Sequence, residues 1–190
     1  MPRAAPGLHS LACLSLLGLA QLAQAQPGST PASQAAASDP ARAAASPMPA
    51  RRVVLSISGR LLQNGLPGGP ALLDQDQLAA LPQHSFVTKT PWYPKPHKFT
   101  GPLLRDVLAA VGAQGETVEA LALNDYKVSI PMEDIAKHPV LLARLMDDQP
   151  MPVRDKGPLF VLYPFDADPS FRSALYYSRS VWQLKALIVK

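Results

Sequence analysis

Apolar and polar positions follow different rhythms along this chain, and each change of rhythm marks an element. Val53 to Gly59 alternates after its first residues, Leu55 and Ile57 against Ser56 and Ser58, the period-two pattern of a half-buried strand. Leu73 to Leu81 predicts a short helix, with Asp74 and Asp76 in its first turn, where the helix dipole favours negative charge. His84 to Lys89 predicts a second strand. Pro91, Pro94 and Pro96 then force an extended loop, because proline removes a donor and fixes φ. The clearest helical stripe runs from Pro102 to Val111. Leu103, Leu104, Val107, Leu108 and Val111 share one face, and Arg105 and Asp106 the other. Pro102 suits the first turn, Thr100 is a candidate cap, and Gly112 fits just past the end.

Val118–Leu123 and Lys127–Ile130 predict two strands around the turn-forming cluster Asn124-Asp125-Tyr126. Met132 to Lys137 predicts a helical turn led by Glu133 and Asp134. Val140 to Met146 fits strand or helix by periodicity alone, and Asp147-Asp148 with Pro150-Met151-Pro152 ends it. Leu159–Tyr163 predicts a buried strand, Ser170–Leu175 a short helix and Val181–Val189 a last strand. There are no internal repeats. Short strands separated by single short helices predict an α+β fold with a mixed or antiparallel sheet.

The first part of the chain follows none of these rhythms. Leu11 to Leu22 is an apolar run too short to span a bilayer comfortably, and Ala23-Gln24-Ala25 follows it as a small-x-small cleavage site. Residues 1–25 are therefore expected to be a signal peptide cleaved after Ala25, giving a periplasmic product. Residues 26–52 are rich in Ala, Pro and Ser, with too little apolar surface to offset their ordering entropy, and are expected to form a disordered leader. Residues 53–190 remain as one domain. Cys13, the single cysteine, lies inside the apolar run, so the expected mature chain has no disulfide, zinc-thiolate or iron–sulfur option. The chain carries 18 basic and 14 acidic residues. Arg3, Arg42, Arg51 and Arg52, against Asp39 alone, precede Val53. The domain itself is nearly neutral, which argues against nucleic-acid binding. No second apolar segment reaches the length of a transmembrane helix.

Candidate chemistry is sparse. There is no Gly-x-Ser-x-Gly elbow, phosphate-cradling glycine loop or Cys–His pair. His84, His97 and His138 are scattered without metal-ligand spacing. No catalytic residue and no metal ligand is assigned. Trp92 and Tyr93 sit in the proline-stiffened loop, where a rigid aromatic shelf suits stacking on a flat heterocycle; packing onto the core is the competing reading. Arg179 offers a guanidinium fork for a carbonyl, carboxylate or phosphate edge, with Ser178 beside it, or is a plain surface arginine. Asp166 and Asp168 could accept from ring amino donors or simply build turns. Asn124, Asp125 and Tyr126 carry the same pair of readings.

Four stretches resemble the sulfite-oxidase-type molybdopterin-binding domain. Phe99-Thr100-Gly101-Pro102-Leu103-Leu104-Arg105-Asp106-Val107-Leu108 is similar to that family's helix start, and Leu123-Asn124-Asp125-Tyr126 to its turn. Val140-Leu141-Leu142-Ala143 with Met146-Asp147-Asp148 and Pro150-Met151-Pro152, and then Lys156 to Pro164, resemble its next two segments. Trp182 and Lys185 resemble its closing strand. The resemblance implies a sulfite-oxidase-like fold over 53–190 and molybdopterin as cofactor. It also implies a metal-binding cysteine before the helix, and here that position has no thiol. A small periplasmic, cysteine-less subgroup resembles the chain better. That likeness implies a molybdenum-free pterin ligand and a non-catalytic sensor acting on a membrane-bound cyclic-di-GMP partner. The ligand would contact Trp92, Tyr93, Asn124, Asp125, Tyr126, Asp166, Ser178 and Arg179. A small molybdopterin-dependent oxidoreductase or its accessory subunit stays open as the alternative, as does an interaction module that has lost its ligand.

Overall fold

The computed structural model describes residues 52–190; the expected signal peptide and nearly all of the leader lie outside the described residues. In chain order the strands are β1 (Val53–Gly59), β2 (Leu62–Gln63), β3 (Leu66–Pro67), β4 (Ala71–Asp74), β5 (Gln83–Thr88), β6 (His97–Pro102), β7 (Thr117–Ala122), β8 (Lys127–Pro131), β9 (Leu141–Ala143), β10 (Leu145–Met146), β11 (Gln149–Pro150), β12 (Phe160–Leu162) and β13 (Leu184–Val189). Four short helices join them: α1 (Gln75–Ala80), α2 (Leu104–Ala110), α3 (Met132–Lys137) and α4 (Ala174–Arg179).

The principal sheet has the order β4–β1–β13–β7–β8. β1 and β13 run parallel, with Ser56 opposite Ala186 and Gly59 opposite Val189; every other neighbouring pair is antiparallel. The sheet is thus mixed, as the element order predicts. Alternation in β1 does the expected work: Leu55 and Ile57 are fully buried, while Ser56 and Ser58 are only half-buried. A second, antiparallel sheet has the order β11–β10–β6–β5, and β9 pairs with β12 between the layers of the core.

The predicted helix over Pro102–Val111 starts two residues late. Phe99 and Thr100 are ladder residues of β6, paired on one side with Phe86 and Ser85 and on the other with Met146 and Leu145. Phe99 is completely buried, and that burial, worth about 1.5–3 kcal/mol, holds the segment extended. Thr100 therefore caps nothing, and its buried hydroxyl has no partner among the described residues. Gly112 fits as expected, with φ +66° just beyond the helix. Gly101 has a different reason to be glycine. A Cβ there would stand 2.0 Å from the Leu142 carbonyl oxygen, so β6 and β9 could not approach as they do.

Other boundaries move for local reasons. Asp74 is the N-cap of α1, not part of its first turn. Its carboxylate accepts the Gln77 N–H at 2.8 Å, while Gln77 Oε1 accepts the Asp74 N–H at 2.9 Å. Leu73 accordingly belongs to β4. Val140–Met146 resolves as strand, in β9 and β10, and the β10–β11 hairpin turns on Asp147 and Asp148 at φ +49° and +63°. The short helix expected at Ser170–Leu175 is a 3-10 turn over Pro169–Phe171 followed by α4. The last strand begins at Leu184, because Gln183 at φ +52° breaks the run; Trp182 makes a single bridge to Phe160 instead.

Candidate functional site

The Asn124-Asp125-Tyr126 turn, the residues from α4 to Trp182, and the proline loop converge on one cavity of about 250 Å³. Trp92, Ala122, Asn124, Tyr126, Tyr177 and Trp182 line it, with Ser178, Ser180 and Val181. Trp92 stands edge-on to Trp182 and Tyr177, with ring centroids 5.4 and 6.1 Å apart, and lies 5.5 Å from Phe160. Trp92 packs against the edge of the core, and its ring also lines the cavity. Asn124 Oδ1 accepts the Tyr126 N–H at 3.2 Å, and Asp125 adopts φ +64°, a conformation aspartate tolerates. The Tyr126 hydroxyl then donates to the Ser178 carbonyl at 2.9 Å, joining the turn to α4.

Four of the eight sequence candidates, Trp92, Asn124, Tyr126 and Ser178, thus meet around one space; the other four lie elsewhere. Arg179 donates to Asp134 Oδ2 at 3.1 Å, and the two side chains are only 16% and 9% exposed. Asp134 also accepts the Tyr163 hydroxyl at 2.5 Å. Burial, with that bond to Asp134, raises the Tyr163 pKa far above the usual phenol range. One arm of the guanidinium fork is thereby engaged inside the protein. Asp125 accepts from Lys185 at 2.7 Å, which lowers its pKa. Asp166 accepts the Lys89 N–H at 2.6 Å and pairs with Arg172 at 2.7 Å; its pKa is lowered by the Lys89 amide first. Its partner Asp168 caps the 3-10 turn through the Ser170 N–H. Tyr93 does not line the cavity; it donates to the Asp155 carbonyl at 3.3 Å and meets His97 edge-on, and burial and then Asp155 raise its pKa.

Tyr177, Ser180 and Trp182 went unassigned from sequence. Their signal in the sequence is the clustering of aromatics and serines in Tyr176-Tyr177-Ser178-Arg179-Ser180-Val181-Trp182.

A larger groove of about 640 Å³ lies near Val53, Pro150, Pro152 and Leu184. It has no aromatic side chain for stacking, and two of its cations are engaged, Lys185 with Asp125 and Arg144 with Gln83. The smaller cavity is the one of the two that gathers aromatic side chains.

The family model for the oxidoreductase molybdopterin-binding domain matches residues 60–165. The chain belongs to this family. No curated protein matches the chain. The α+β architecture is the fold of this molybdopterin-binding family. The matched span ends before α4, so Tyr177, Ser178, Ser180 and Trp182 lie beyond it.

The residues lining the smaller cavity fit only part of that family's cofactor. A flat bicyclic ring suits an aromatic cavity somewhat below the ~300–1,000 Å³ usual for ligand pockets. A metal and a phosphate do not suit it. The lining holds no Cys, His, Asp or Glu donor and no Lys or Arg. Among the described residues no three His, Cys, Asp or Glu side chains gather as a metal site. Lys156, whose ammonium is 5.4 Å from the Trp182 ring centroid, does not line the cavity.

Proposed function

We propose that the domain is a non-catalytic pterin-binding protein, holding a molybdenum-free pterin in the aromatic cavity. One observation carries the reading: Trp92, Tyr177 and Trp182 wall a bicycle-sized space that offers ring faces and hydroxyls but neither metal donors nor cations. Aromatic walls favour a flat, polarisable ring, and neutral ones give an anion nothing to pair with.

The same reading makes the protein a periplasmic ligand sensor for a membrane-bound signalling partner of the cyclic-di-GMP kind. Its support is the N-terminal pattern ending at Ala25, the subgroup resemblance, and the exposed apolar side chains Leu123, Tyr126 and Leu175, which belong to the same turn and helix as the cavity lining. A molybdopterin-dependent oxidoreductase is the second reading, favoured by family membership.

Mass spectrometry under native conditions and elemental analysis of exported protein separate the two. An organic pterin without molybdenum is expected; stoichiometric molybdenum with dye-linked turnover refutes the proposal. In titration calorimetry, Trp92→Ala should weaken pterin binding by about one to two decades, the loss of one stacking contact of roughly 1–3 kcal/mol. The same variant should lose about 3 kcal/mol of stability, because Trp92 also packs on Phe160, Phe165 and Trp182. Melts must therefore accompany the titrations. A folded Trp92→Ala protein with unchanged affinity removes the cavity from consideration.

A further inference from the structure

The hydroxyls around the cavity already have partners in the structure. Ser178 Oγ donates its proton to the Leu175 carbonyl at 2.7 Å. Ser180 Oγ, on a residue only 2% exposed, donates to the Tyr176 carbonyl at 2.9 Å. Tyr126 Oη donates to the Ser178 carbonyl at 2.9 Å. Each hydroxyl has one proton, and each of these three has given it to the backbone. What they can still offer a ligand is lone pairs. Asn124 is committed the other way: its Oδ1 accepts the Tyr126 amide, which leaves Nδ2 as a donor. The wall built by the C-terminal end of α4 is therefore an acceptor wall, and the Asn124 side contributes a donor.

We infer that this commitment makes Ser178 and Ser180 specificity-determining residues that select a ring carrying an amino group, so that a 2-amino-4-oxopteridine binds and its 2-oxo counterpart is rejected. The inference rests on the pterin reading of the cavity. An exocyclic amine brings N–H donors to the serine oxygens. A carbonyl in its place brings lone pairs against lone pairs, and the buried Ser180 cannot rotate to donate without stranding the Tyr176 carbonyl. The two ring systems have nearly the same size and the same stacking face, so the aromatic walls do not distinguish them. Discrimination falls to the polar edge. A site whose polar groups are left unpaired by the wrong ligand discriminates far better than one relying on shape alone.

The test is a paired titration of the full chain with pterin and with lumazine, its 2-oxo analogue, in slightly acidic buffer where both rings are neutral. Pterin should bind about one to two decades more tightly, the cost of leaving a buried acceptor unmet. Ser180→Ala and Ser178→Ala should each bring the two affinities closer, mainly by weakening pterin. Ser178 is exposed, so its variant reports even if the buried Ser180→Ala protein folds poorly. Equal affinity of the wild-type chain for both rings overturns the inference while leaving the cavity reading in place. Tighter binding of lumazine also overturns it. Binding of neither ring overturns the inference together with the pterin reading.

Discussion

Replacing Arg179 by methionine should destabilise the domain by about 3 kcal/mol while leaving the cavity's lining residues in place. The guanidinium and the Asp134 carboxylate are 16% and 9% exposed and 3.1 Å apart, so removing the cation leaves a carboxylate with little solvent to compensate it. Breaking a buried pair on one side costs roughly 3–5 kcal/mol. The lower end applies because Asp134 keeps the Tyr163 hydroxyl at 2.5 Å and has His138 Nε2 at 3.5 Å. For a domain of this size that corresponds to a fall in melting temperature of about 10 °C. Methionine matches the aliphatic stem, so the loss is electrostatic and not a cavity. Urea and thermal unfolding by circular dichroism, on Arg179→Met, Asp134→Leu and the double variant, complete the cycle. The double variant should cost less than the two singles together by about 2 kcal/mol, since it removes both charges. If Arg179→Met melts like the wild type and loses pterin affinity instead, the arginine is the ligand's fork and this assignment to the scaffold is wrong. Strict additivity in the cycle would equally refute it.

Two further outcomes follow from single contacts. Gly101→Ala should cost at least about 4 kcal/mol or abolish folding, because its Cβ would meet the Leu142 carbonyl oxygen at 2.0 Å; a soluble variant with a wild-type urea midpoint contradicts this. Asp166 has a lowered pKa, so its contribution is present above the ordinary carboxylate value of about 3.9 and is lost as pH falls through its folded value. Asp166→Asn should flatten the acid limb of a stability–pH profile, and an unchanged slope below about pH 4 speaks against it.

How far the sequence could be read depended on the range of the forces involved. The β7–β8 turn was legible because Asn124 and Asp125 act within three residues, and α3 because its boundaries are local. The start of α2 differs because Phe99 and Thr100 answer to partners in β5 and β10, the latter as distant in sequence as Met146, and no propensity rule sees that ladder. The site shows the same division. Trp92 was visible as a rigid aromatic in a proline loop. Arg179 was visible as a charge near serines, but its partner Asp134 lies 45 residues away, and only the fold reveals that its fork is already engaged. The partners of Ser178 and Ser180 follow from the position of α4 and its C-terminal end, which a helix over Ser170–Leu175 does not place.

The parallel pairing of β1 with β13 has a consequence for when this domain can exist. The first strand of the domain has the last one as its inner neighbour, and β13 in turn supplies the edge on which β7 and β8 are laid. The Lys190 carbonyl still accepts the amides of Glu116 and Thr117. Nothing resembling the finished sheet can assemble on a growing chain in which β13 has not been made, because the β1/β4 and β7/β8 pairs would remain two separate hairpin-like fragments. Such long-range closure makes folding slow and late. The sheet is therefore closed only once β13 has been made. Trimming even the last strand should yield an unfolded chain, whereas a smaller but stable domain is not an available product.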